Sequence, residues 1–140
     1  MASTAAFTDQ AKQDFLNGVH QPGDTYKVAL YVAAAALDKT TTAYSSSNEV
    51  TNSAGTAYIS GGATLAGFAV GIDGDTAYMT FTNPTWASST LSNVVAALIY
   101  NSSRSNKAIA VLTFSSTSTS NGTFTLVLPA TSGARTISIA

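Results

Sequence analysis

The chain has 140 residues, only 9% of them charged, and a net charge of −1. Globular chains usually carry about 25% charged residues. The length predicts one domain able to bury a real core. The lack of cysteine excludes disulfides, thiolate metal sites and cysteine nucleophiles. The lack of a basic field argues against a nucleic-acid partner.

Ser and Thr together supply 39 residues and Ala 24. A surface wetted by hydroxyls lacks the charge repulsion that keeps soluble monomers apart. Such a composition suits either an ordinary small β-protein or a subunit whose natural state is an assembly. The longest apolar run, Val28 to Leu37, is too short to cross a bilayer. Met1 to Phe7 shows neither the basic region nor the apolar core of a secretory signal. No membrane partner is expected, and synthesis in a cytoplasm is.

Thr8 caps a predicted helix over Asp9–Gly18, with Asp9 suited to its N-terminal dipole and Gly18 to its C-terminal end. Phe7, Ala11, Phe15 and Val19 recur at spacing four and form one apolar stripe. So short a helix must dock on something, its own domain or a neighbouring subunit. His20 to Asp24 reads as a turn, and a turn histidine is expected to be exposed.

The period then changes to two. Tyr26, Val28, Leu30 and Val32 share one face of a strand, with Lys27, Ala29 and Tyr31 on the other. Ala33 to Ala36 fits either a helical turn or an extended edge. Residues 40–62 read as a long loop anchored by Tyr44, Val50, Tyr58 and Ile59 alone, a class of loop that is often interfacial.

Short strands follow. Thr64 to Ile72 is predicted with Phe68, Val70 and Ile72 on one face. Asp73-Gly74 marks a hairpin, and Asp75 to Thr82 carries Ala77, Met79 and Phe81 inward. Val94 to Tyr100 reads as a central strand covered on both faces. Ala108 to Phe114 is a further strand, Ser115 to Gly122 a hydroxyl-rich loop, Thr123 to Leu128 an alternating strand, and Arg135 to Ile139 the last. Seven or eight such strands predict a mainly β fold. The expected architecture is a single antiparallel β-sandwich, jelly-roll-like or a related barrel, preceded by a short N-terminal helix. The expected division is an N-terminal arm and helix over residues 1–21 and a β-sandwich over residues 22–140. Phe81, Leu98, Leu112, Phe124 and Leu126 are its expected core.

Catalytic signals are thin. His20 is the one histidine, and Asp73 and Asp75 flank a hairpin glycine, where turn geometry favours aspartate. No nucleophile elbow and no phosphate loop occurs. Trp86 reads as a core anchor, with a sugar-stacking face as the alternative. No catalytic residue, metal or cofactor is expected.

The ordered segments Tyr26-Lys-Val-Ala-Leu-Tyr31, Thr42-Ala-Tyr-Ser45 with Asn48-Glu-Val50, Gly61-Gly62, Thr85-Trp86 and Ala97-Leu-Ile-Tyr-Asn101 resemble a family of small structural proteins of tailed bacteriophages. Ala11-Lys12 and Gly18-Val19-His20 in the helix segment fit it too, and the likeness runs from about Phe7 to about Phe124. The resemblance implies a non-enzymatic virion component, a decoration or cement protein that binds the major capsid protein or other virion proteins, and itself. A trimer is expected if it sits on a capsid threefold. A collar, tail or fibre component with a carbohydrate- or receptor-binding role is the alternative. Phe7, Phe15 and Leu16 in the helix segment, with Tyr44 and Tyr58 in the long loop, are the candidate interface residues.

Overall fold

The computed structural model describes residues 4–51, 57–129 and 137–139. Strand β1 (Thr4–Phe7) comes first and leads into helix α1 (Asp9–Leu16). The helix starts where expected, because Thr8 Oγ1 accepts a hydrogen bond from the Ala11 amide at 3.1 Å. It ends at Asn17, and Gly18 follows in the left-handed conformation. Then come β2 (Tyr26–Tyr31), a single 3₁₀ turn at Ala33–Ala35, β3 (Ala63–Thr64), β4 (Ala69–Asp73) and β5 (Thr76–Thr80). The long strands β6 (Thr85–Asn101) and β7 (Lys107–Thr125) and the short β8 (Ile137–Ile139) complete the described chain.

The strands form two antiparallel sheets, neither of them closed into a barrel. The first has the order β1-β7-β6-β2-β3 and the second β4-β5-β8. Alternation along β2 and β6 sends side chains to two apolar layers. Val28, Leu30, Ala97 and Ile99 join Phe81, Trp86, Leu112, Phe124 and Leu126 in the larger core. Met79 of the second sheet is buried in the same core. Ala29, Tyr31, Leu98 and Tyr100 form the other layer. That layer is roofed by Ala35, Leu37 and Tyr44 from the segment after β2. The expected core residues Phe81, Leu98, Leu112, Phe124 and Leu126 are all buried, and so is Trp86.

Several expectations change. Residues 64–72 are not one strand: β3 and β4 belong to different sheets, and Gly67, at φ +70°, turns the chain between them. Phe68 packs on the core, but Val70 and Ile72 are 64% and 76% exposed, because the β4–β5 hairpin overhangs the body. Ala77 is exposed for the same reason. Ser115 to Gly122 is strand, not loop. Thr117 and Thr119 pair with Val94 and Leu91, and the mismatch between the two strands is absorbed by bulges with Ser88 and Asn93 at positive φ. Arg135 and Thr136, expected to open the last strand, lie outside the described residues.

The segment read as an arm is built into the domain from Thr4 onward. β1 pairs with β7, and Ala11 is fully buried. The helix therefore docks on its own domain, one of the two arrangements its length required.

Candidate functional site

Two clusters carry most of the polar chemistry. One lies beneath the helix. Asp14 is buried; its carboxylate accepts from Gln10 Nε2 at 3.0 Å, and Lys107 Nζ stands 3.5 Å away. His20 Nε2 is 3.8 Å from Asp14 Oδ2, beyond hydrogen-bond length. The Asn101 side-chain amide lies 3.0 Å from His20 Nδ1 and 2.8 Å from Asp24 Oδ2, and it donates to both. An Nδ1 that accepts leaves the ring proton on Nε2. Burial favours that neutral ring and lowers the His20 pKa, with the Asp14 and Asp24 charges opposing in part. Arg104 grips Asp24 through two bonds of 2.9 and 3.0 Å and holds its carboxyl well below the usual carboxylate range. His20 is thus buried rather than exposed as its turn suggested, because Asn101 at the end of β6 supplies its partner.

The other cluster centres on Glu49 in the long loop. Its carboxylate accepts from Tyr58 OH at 2.6 Å, Tyr44 OH at 2.7 Å, the Gly61 amide at 2.8 Å and Ser60 Oγ at 3.0 Å. Tyr58 OH in turn accepts from the Leu30 amide at 2.8 Å, which ties the loop to β2. Tyr44 stacks on Tyr100 with ring centroids 4.7 Å apart, and Tyr100 OH donates to the Gly61 carbonyl. Burial raises the Tyr58 and Tyr44 pKa values, and the bond each donates to Glu49 adds to the rise. Over residues 40–51 and 57–62 the loop is therefore fastened by its own chain and needs no neighbour to order it. Gly62 completes the fastening: at φ +75° it lies so close to the Val28 backbone that a Cβ would collide with it.

An apolar cleft of about 230 Å³ opens between the N-terminal segment and the β4–β5 hairpin. Phe7, Phe15 and His20 line one side, Phe68, Val70 and Met79 the other. The Phe7 and Phe15 rings meet edge to face at 5.1 Å.

The five candidate interface residues fall in different places. Phe7 and Tyr58 are buried in the domain's own core, Phe7 at the wall of the cleft. Phe15 and Tyr44 are half-buried, and Leu16 is 91% exposed. The structure brings Phe7 and Phe15 together in the cleft wall and joins Tyr44 to Tyr58 through Glu49. Sequence reasoning missed Val70, Ile72 and Glu49. A lone glutamate in a hydroxyl-rich loop carries no local signal of its role.

Among the described residues, no group of three or more His, Asp or Glu could hold a metal ion, and no helix is long and apolar enough to cross a membrane. Comparisons with protein-family models, with curated proteins and with solved structures find no match in any of the three.

Proposed function

We propose that the chain is a non-enzymatic structural protein of a tailed-bacteriophage virion, a decoration or cement protein that binds the head lattice and other copies of itself. The observation that carries this reading is the apolar, uncharged surface around the cleft. Val70, which lines the cleft, and Ile72, two residues on along the same strand, are large, exposed and apolar, and the cleft is walled by the rings of Phe7, Phe15 and Phe68; Leu16, next to Phe15 in the chain, is a further exposed apolar side chain. Apolar surface grouped in this way marks a protein–protein contact more often than a solvated face. The sparse charge and the resemblance in the ordered segments from Tyr26 to Asn101 agree with it. Trp86 is only 4% exposed and offers no open face for stacking on a sugar, which weakens the carbohydrate reading.

The test is co-sedimentation of the purified protein with phage heads that lack it. Saturable binding that changes little between low and high salt is expected, because exposed apolar contacts are not screened. Failure to bind at micromolar concentration, or binding abolished by moderate salt, overturns the reading.

A further inference from the structure

We infer that the free edge of β4 is a self-association site, at which a second copy of the chain adds its own β4 antiparallel about a twofold axis at Gly71. This rests on the self-association in the reading above and not on the virion. Among the described residues, β4 has a strand neighbour on one side only, β5.

The hairpin register decides which backbone groups face outward. Asp73 and Thr76 flank the two-residue turn Gly74-Asp75, with Gly74 at φ +61°. In such a hairpin the flanking pair exchanges backbone hydrogen bonds, and bonded and non-bonded pairs alternate from there. Asp73, Gly71 and Ala69 therefore bond to β5. The N–H and C=O groups of Val70 and Ile72 point out along the free edge.

That edge matches itself. Antiparallel pairing about Gly71 places Val70 opposite Ile72 of the second copy, and Ile72 opposite its Val70. All four residues have outward backbone groups, so the pairing closes four hydrogen bonds. Val70 and Ile72 also share one face of the strand, so their side chains meet those of the second copy there. These are the two large exposed apolar residues of β4, at 64% and 76%.

Charge permits the register. Asp73 falls opposite Ala69 of the second copy, and the acidic hairpin tips with Asp73 and Asp75 lie at opposite ends. Ala69–Asp73 contains no lysine or proline, the residues that usually blunt an edge strand. Tyr78, opposite Gly71, packs its ring against that glycine, which stiffens the strand at the proposed axis. The two second sheets then join into one of six strands, β8-β5-β4 followed by β4-β5-β8 of the second copy. Twofold pairing closes at two copies, so the unit in solution is a dimer and not the trimer expected for a capsid threefold. A contact of two five-residue strands is small beside standard interfaces, so a dissociation constant on the order of tens of micromolar is expected. Repetition on a lattice raises the effective affinity.

The test is sedimentation velocity of the full chain from about 5 to 500 µM, chosen to bracket that affinity, with Val70→Pro and Ile72→Lys beside it. Val70→Pro removes an outward N–H without touching a β4–β5 bond. A concentration-dependent dimer in the wild type, shifted at least tenfold toward monomer in folded variants, is expected. A wild type that stays monomeric, forms a trimer, or dimerises undiminished in both variants overturns the inference. If a variant does not fold, mixed cysteine variants decide the matter. The chain has no cysteine of its own, and opposed bonded pairs lie within disulfide reach. Oxidising Val70→Cys together with Ile72→Cys should give several times more covalent dimer than either alone; equal yields refute the register. A dimer that ignores phage heads leaves this inference standing and removes the virion reading. Binding to heads as a monomer does the reverse.

Discussion

Removing the Glu49 carboxylate should loosen the long loop by an amount the structure sets. Four donors converge on it, but only two of them belong to buried residues, Tyr58 and Gly61. Tyr44 is half-buried and Ser60 exposed, so water can replace their bonds. A buried donor left without an acceptor costs about 1–3 kcal/mol, so Glu49→Ala should lose roughly 2–6 kcal/mol. For a domain of this size that is a fall in Tm of about 6–18 °C. Glu49→Gln should be far milder, near 1 kcal/mol. Its carbonyl oxygen can serve Tyr58 and Gly61, while its amide donates to the Tyr44 and Ser60 hydroxyls, which accept as well as they donate. Urea unfolding followed by Trp86 fluorescence suits the measurement, since Trp86 is buried with its ring 5.7 Å from Tyr58. Equal losses for Ala and Gln, or a loss under about 0.5 kcal/mol for Ala, would refute the reasoning.

Other predictions follow from the same geometry. Phe124 is 2% exposed and packs on Trp86, so Phe124→Ala should cost about 3–5 kcal/mol in equilibrium denaturation. The Asp24 pKa is lowered by Arg104, so the unfolded chain binds that proton more readily. Its contribution is full above about pH 4 and is lost as the pH falls further. The gap in urea midpoint between wild type and Asp24→Asn should therefore be wide at pH 7 and narrower at pH 2.5. Leu16→Ser, at a 91% exposed position, should leave stability within about 0.5 kcal/mol while weakening capsid binding severalfold in the co-sedimentation assay. A chain starting at His20 should fail to fold by circular dichroism, because it lacks β1 and the buried Ala11 and Asp14.

Local chemistry made much of the fold legible. Thr8 and Gly18 bound the helix because capping is read from neighbours in sequence. The alternation of Phe124–Leu128 tracks burial although β7 ends at Thr125, whereas Tyr26–Tyr31 is buried on both faces because β2 lies between two packed layers. What escaped depends on distant partners. Ser115 to Gly122 has loop-like composition, and only its pairing with β6 makes it strand. Alternation put Phe68, Val70 and Ile72 on one face correctly, but periodicity does not reveal where the covering layer ends. His20 is buried by Asn101, and Glu49 is organised by Tyr58 and Tyr44, contacts that no local pattern encodes. Of the candidate interface residues, Leu16 is exposed, Phe15 and Tyr44 are half-buried, and Phe7 and Tyr58 are buried, because an apolar anchor and a surface apolar residue look alike in sequence.

The most direct test of the virion reading is to look for the chain's coding sequence in a tailed-phage genome and to count the chain in purified particles of that phage, by quantitative mass spectrometry with cryo-electron microscopy of the same particles. Hundreds of copies per particle, with density for this fold on the outer face of the head, are what a decoration protein requires. Six or twelve copies at the neck or tail would move it to a collar or tail role, and absence from the particle would contradict the account outright.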